Sequence, residues 1–300
     1  VSGVLLHDLF FTPFRAPTDN DAHSPLVLGK QNWFTKQYDH PKRTCLEVRQ
    51  GNGVEEPSLT YTTAYQTEKD SFYVTVGLWQ AGQNRIFIDC NVQSPADMLS
   101  PGRIGMTAIL PVRFTAMKWY GKGPLETYPD RQCGGRMGVY SEDVRNQPFY
   151  LRPQEYGLHT EARSMRLTDP DRADFIRFEA ACPMAMSAVP YSDLQLWNAR
   201  HPHELPAPES LYVHLDYAHR GLGNSSCGPD ALPTYRIDDR PCRFGFALEA
   251  GLGEQEDNPF GPVPEEIPAY HPWKAVGERD RTPSYRDPSD PDQRSNAGMV

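Results

Sequence analysis

Long apolar runs are missing from this chain. No stretch approaches the ~20 residues of a membrane-spanning helix, and the apolar opening from Val4 to Phe11 is broken by His7 and Asp8 without a basic flank. Neither anchor nor signal peptide is read there, and a chain that opens on Val1 is expected to be a fragment or a processed product. Basic residues are also in short supply: 30 Lys and Arg against 39 Asp and Glu leave a net charge of −9. That balance argues against the broad cationic face that nucleic acid or anionic lipid requires, so neutral small molecules or proteins are the expected partners. Paired cysteines are absent as well. Cys45, Cys90, Cys133, Cys182, Cys227 and Cys242 are far apart, with no Cys-x-x-Cys and no zinc-ribbon spacing. A core of this size needs no disulfides, so the thiols are expected reduced and mostly buried, which points to the cytoplasm.

Helical periodicity is scarce. Ser192 to Ala199 carries the best signal, with Leu194, Trp197 and Asn198 on one face behind a Ser192 cap. Alternating β and α units are lacking, which excludes a doubly wound nucleotide-binding fold and a complete (β/α)8 barrel. What is present is period-two alternation, the mark of half-buried strands. Phe72, Val74, Val76 and Leu78 share one face, and Ile86, Ile88, Cys90 and Val92 another. Similar segments run over 59–67, 102–110, 112–120, 162–168, 174–180, 211–217, 234–237 and 244–249, separated by Gly, Pro, Asn and Asp clusters. The expectation is an all-β fold, one large antiparallel β-sandwich over residues 1–250. From 251 the composition shifts to eight prolines and many charges in 50 residues, so 251–300 is expected to be a disordered tail.

Four blocks are not explained by alternation. Phe14-Arg15-Ala16-Pro17-Thr18-Asp19-Asn20-Asp21 packs an Arg, a Pro of fixed φ and side chains that bond their own backbone into a rigid polar turn. Trp119 to Arg131 (WYGKGPLETYPDR) reads as a strand followed by a turn. Pro153 to His159 (PQEYGLH), followed by Arg163, and Gly221 to Pro229 (GLGNSSCGP) complete the set. In this order and spacing they resemble the C-terminal domain, or small chain, of family 2 β-galactosidases, over about residues 10–250.

That resemblance implies a supersandwich of the galactose mutarotase type beside a (β/α)8 barrel holding the catalytic glutamates. Such enzymes release terminal β-D-galactose from β-galactosides such as lactose. Retaining hydrolysis needs two carboxyls about 5–5.5 Å apart, and neither family motif carrying them is found in this chain. No catalytic residue is therefore assigned, and the chain alone is expected to be inactive. The implied partner is the catalytic part, on the same or a separate polypeptide, in a homo- or hetero-oligomer. Mg and Na are implied only for that part; no cofactor or metal is expected here. For substrate binding, Arg103, Gly105 and Met106 match the start of a mobile loop closing over the sugar. Cys227 falls where several relatives have a Trp stacking on the sugar or its leaving group, and a thiol offers no comparable apolar face.

The remaining block residues are expected to brace. Arg15 with Asp19, Asn20 and Asp21 reads as an interdomain brace, and Glu126, Tyr128, Asp130 and Arg131 as a turn fixed by an ion pair between Asp130 and Arg131. His201-Pro202-His203 reads as a solvated loop, since two His without a third ligand make a poor metal site. Two other classes are kept open. One is an aldose 1-epimerase using a Glu–His pair drawn from Glu155, Glu161, His159, His214 and His219; the other is a carbohydrate-binding module with Trp119 and Tyr120 as a stacking platform.

Overall fold

The computed structural model describes residues 5–147, 150–223 and 230–252. Among these residues, twelve strands form one antiparallel sheet. They are β1 (Asp8–Thr12), β2 (Lys42–Gln50), β3 (Leu59–Gln66), β4 (Ser71–Gln80), β5 (Arg85–Gln93), β6 (Arg103–Pro111), β7 (Ala116–Gly123), β8 (Arg136–Asp143), β9 (His159–Thr168), β10 (Phe175–Val189), β11 (Ser210–His219) and β12 (Cys242–Gly251). The order is β1-β6-β11-β10-β12-β5-β4-β3-β2, with β9 also on β10, β7 on β9 and β8 on β7.

The long β10 turns this order into a sandwich. Its first half, Phe175 to Ala180, pairs with β12, and its last five residues pair with β11. The β9 ladder shifts register between Glu179 and Met184. Pro183 sits in that gap, where a residue without an N–H costs no ladder hydrogen bond. The sheet curls far enough for distant strands to meet. Phe11 of β1 packs its ring on Tyr65 of β3 at 5.2 Å and on Phe72 of β4 at 5.3 Å, and the Tyr65 hydroxyl accepts from the Phe11 amide at 3.0 Å. Inward residues of nearly all strands then join one core, including Val74, Val76, Ile88, Cys90, Met106, Phe178, Leu215 and Phe246.

Helices are short. In α1 (Asp19–Ala22) Thr18 caps and Asp21 completes a capping box; α2 (Pro25–Leu28) is capped by Ser24. The expected helix is α3 (Asp193–Asn198), with the Ser192 cap and Gln195 returning to the cap backbone. Its buried residue is Leu196, while Leu194 packs partly against the core.

Several expectations are corrected. Residues 234–237 are not a strand, because Pro233–Tyr235 forms a 3₁₀ turn. The strand expected from Val112 starts at Ala116, after a turn. β1, β2 and β8 were not anticipated. β2 and β8 are edge strands, β2 exposed along nearly all its length and β8 with no buried residue, so no apolar alternation marks them. The thiols are not mostly buried either: Cys45, Cys133 and Cys182 are exposed, Cys242 is half-buried and Cys90 alone of those described is buried, all of them free. Cys45 lies on edge strand β2 and Cys182 in the β10 register gap, neither of which faces the core.

Candidate functional site

Three of the sequence blocks, and the first residues of the fourth, meet at one buried cluster of charge. Its base is Arg103, at the start of β6 and fully buried. One guanidinium nitrogen donates to Glu155 at 2.6 Å and reaches Asp193 at 3.4 Å; the other lies 3.8 Å from Asp216. Asp193 opens α3 and also accepts the Ala16 amide at 3.0 Å. Asp216 comes from β11, opposite Gly105 of β6. A Cβ on Gly105 would lie 2.5 Å from the Leu215 carbonyl and 2.5 Å from Asp216 Oδ1, so a glycine there lets the carboxyl sit against the backbone.

Arg15 is the second cation. Its guanidinium donates to both oxygens of Asp21 at 3.1 and 2.9 Å and to the carbonyls of Arg220 at 3.0 Å and Gly221 at 3.2 Å. Asp21 in turn accepts the Thr18 amide at 2.9 Å and hydroxyl at 3.0 Å. Two guanidiniums thus face four carboxyls, those of Asp21, Glu155, Asp193 and Asp216, an excess of acid that the interior does not hold fully ionised. Burial pushes Asp216 up to about 7, against the pull of Arg103. Burial also raises Glu155 and Asp193, with Arg103 opposing. Burial would lower Arg103, but Asp193, Glu155 and Asp216 more than offset it.

His219 closes the cluster. Its Nδ1 is 2.8 Å from the Arg220 carbonyl, which can only accept, so Nδ1 carries the hydrogen and Nε2 is bare. That Nε2 lies 3.6 Å from Glu155 Oε1. Burial, then the nearby Arg15 and Arg103, hold the imidazole well below its usual range, so it is neutral. Among the Glu and His residues named for an epimerase, this is the approach seen; His159 Nε2 lies 3.8 Å from Glu142. His159 instead stacks on Trp119 at 3.9 Å, and His214 bonds the Thr107 hydroxyl at 3.0 Å.

Above the cluster the blocks fix one another's loops. Asp130 accepts the Leu222 amide at 3.0 Å and the Gly223 amide at 2.9 Å, and Asn20 donates to the Leu222 carbonyl at 2.9 Å. Gly221 has no room for a Cβ, which would stand 2.6 Å from Asp130 Oδ2. Glu126 accepts the Gly157 amide at 2.7 Å and also holds Arg131 and the Tyr150 hydroxyl. Thr127 donates its amide to the Leu158 carbonyl at 2.7 Å. Buried Tyr128 lies against the His219 ring at 5.4 Å. Asp19 accepts from Gln154 and lies 3.8 Å from Arg152.

The partners of these residues within the chain differ from the pairs expected. Arg15 pairs with Asp21 and not with Asp19, and Arg131 with Glu126 and not with Asp130, because the Asp130 carboxylate is taken by two amides. Arg103, Gly105 and Met106 do not begin a loop: all three belong to β6, where Arg103 pairs with His219 of β11, Gly105 and Met106 pair with both β1 and β11, and Met106 lies in the core. Backbone committed to sheet ladders in this way is not that of a moving loop. Cys227 lies outside the described residues. Trp119 is buried, its indole N–H donating to the Lys122 carbonyl at 3.1 Å, so it offers no open stacking face. His201 and His203 are exposed with parallel rings. Among the described residues no group of three or more His, Cys, Asp and Glu is arranged to hold a metal, and no helix is long and apolar enough to cross a membrane.

A curled antiparallel sheet whose motif loops are fastened by buried ion pairs defines a β-sandwich domain. The chain belongs to the family described as the beta galactosidase small chain, whose model matches residues 3–248. It is 27% identical over 241 residues to a beta-galactosidase of Staphylococcus xylosus, covering 79% of this chain and 23% of the relative. It is 30% identical over 216 residues to the beta-galactosidase BgaC of Bifidobacterium adolescentis, covering 71% and 20%. The chain thus spans about a quarter or less of the length of these relatives. Among solved structures, an aldose epimerase homologue from C. elegans aligns at TM-score 0.38 and 8% identity over 72% of this chain and 70% of that one. A glycoside hydrolase family 97 enzyme from Pseudoalteromonas aligns at 0.33 and 10%, over 70% and 27%.

Proposed function

We propose that this chain is the noncatalytic portion of a β-galactosidase, which completes the sugar pocket beside a catalytic part carried elsewhere. The carrying observation is that the chain matches the small-chain family along most of its length while covering only 23% of a relative named beta-galactosidase. The cluster supports the noncatalytic role: Glu155, Asp216 and His219 are all buried, and Arg103 occupies both carboxyls. A general acid must reach the bond it protonates. The contribution left to the chain is positional, a rigid wall that orients substrate and excludes water while carboxylates elsewhere do the chemistry. Cys227 belongs to that wall in this reading and gives weaker aglycone stacking than a Trp would. Magnesium and sodium are assigned to the catalytic part, the substrate is a terminal β-galactoside, and the reduced thiols favour the cytoplasm. The test is complementation: a barrel-containing portion of a family member gains galactoside hydrolysis on addition of this chain, and activity independent of the chain would refute the reading.

The second reading, an aldose 1-epimerase, is favoured by the 3.6 Å approach of His219 to Glu155. It ranks second because both groups are closed off from solvent. Polarimetry on fresh α-galactose decides it.

A further inference from the structure

The rim of the charge cluster carries two leucines that stand open to solvent. Leu125 is 73% exposed and Leu151 93% exposed. Each adjoins one partner of the same hydrogen bond, that between Tyr150 and Glu126. Their loops are held firmly. Glu126 takes the Gly157 amide, Thr127 is tied to Leu158 and Thr160, and Glu155 is locked on Arg103. A loop fixed to a buried ion cluster that points large apolar side chains into water has the pattern of an interaction surface. Charges around the leucines are balanced pairwise, Arg131 by Glu126 and Arg152 by Asp19. The partner therefore needs apolar pockets with a neutral polar rim.

We propose that this rim, anchored by Leu125 and Leu151, is the docking surface for the catalytic part of the galactosidase, an inference that rests on the function proposed above. The occupant follows from length: relatives carry about three-quarters or more of their polypeptide outside the matched region, and that mass must meet this domain somewhere. The rim is where the motif loops converge, whereas the exposed Leu46 and Val48 on β2 stand on an edge strand remote in the sheet order.

The test titrates the full chain into a barrel-containing portion of a family member and reads both bound fraction and galactoside hydrolysis. Leu125→Asp and Leu151→Asp should each raise the half-saturating concentration by about tenfold or more, as expected for loss of a buried leucine. Their thermal melting should be unchanged, because neither side chain is buried in the fold. Val48→Asp is the control and should leave half-saturation unaltered. If wild type restores activity and both leucine variants do so at the same concentration, the docking surface is refuted while the proposed function stands. A larger effect of Val48→Asp than of the leucine variants likewise moves the interface elsewhere. If wild type neither binds nor restores activity, both readings fall.

Discussion

Replacing Arg103 with Met removes the cation common to the carboxyls of buried Glu155 and Asp216 and half-buried Asp193 while keeping side-chain bulk. Glu155, at 2.6 Å, loses most. At an effective dielectric constant near 20, a pair at that distance attracts by about 6 kcal/mol before desolvation is counted. The folded variant escapes the full loss by protonating the carboxyl. Taking up a proton at pH 7 on a group whose unfolded pKa is about 4.3 costs about 4 kcal/mol, which caps the penalty and agrees with the ~3–5 kcal/mol seen when one partner of a buried pair is deleted. Asp216 adds less, since its carboxyl, pushed up to about 7, is already about half protonated at neutral pH. The sign of the pH dependence is fixed. A carboxyl whose folded pKa lies above its unfolded value supports the fold at low pH and loses that support as pH rises, so the Arg103→Met penalty should shrink to about 1 kcal/mol near pH 5. Urea denaturation at both pH values, with the slope m checked for constancy, measures it. Arg145→Met, at an exposed pair with Asp143, should leave the midpoint unmoved. A loss below about 1 kcal/mol at pH 7, or an equal loss at both pH values, would refute the cluster's assigned role.

Other expectations follow from neighbouring groups. Asp216 contributes stability below its unfolded pKa that is lost as pH rises to about 7, so Asp216→Asn should flatten the stability profile between about pH 4 and 7; an unchanged slope in urea melts at four pH values contradicts this. Gly105→Ala forces a methyl to 2.5 Å from the Leu215 carbonyl and should destabilise by about 1–3 kcal/mol or more, whereas Gly134→Ala, with nothing within 4 Å, should be silent in the same melts. Asp130→Ala leaves the Leu222 and Gly223 amides without their acceptor; at about 2 kcal/mol, hydrogen exchange at those amides should quicken by roughly thirtyfold, and exchange at wild-type rates would show that the clamp does not hold the loop.

Alternation made most of the sandwich legible. Phe72 to Leu78 and Ile86 to Val92 face the core as their spacing requires, and Ser192 caps the one helix that was expected. Alternation failed where burial is not one-sided. β2 is exposed along nearly all its length, so its apolar residues Leu46 and Val48 mark no inner face. The blocks were visible as units, but their partners were not, because ionic contacts carry no period. Arg15 meets the Arg220 carbonyl 205 positions away, and Arg103 meets Glu155 at a separation of 52. Asp193 and Asp216 were missed for the same reason: an acid at a helix start and one in an apolar strand look ordinary until the fold sets both on one guanidinium. An Asp inside the mostly apolar Leu211 to Tyr217 run was the available clue, since a strand facing the core rarely buries a carboxyl without a cation. The mobile loop at Arg103, Gly105 and Met106 came from resemblance alone, whereas in the fold Gly105 serves close approach of Asp216.

The long reach of Arg15 also sets an order of events during synthesis. At about 5–20 residues per second, this guanidinium waits on the order of 10–40 s for the carbonyl it will hold, 205 residues later. Asp216 and His219 arrive with it. Until β11 exists, Arg15 lacks the carbonyls of Arg220 and Gly221 and the cluster lacks Asp216 and His219, leaving charged groups that water solvates better than the core does, so the sandwich cannot seal early around an incomplete chain. A chain ended at Pro208, before β11, should accordingly show no cooperative thermal transition, and the polar centre acts as a completeness check on the domain's own assembly.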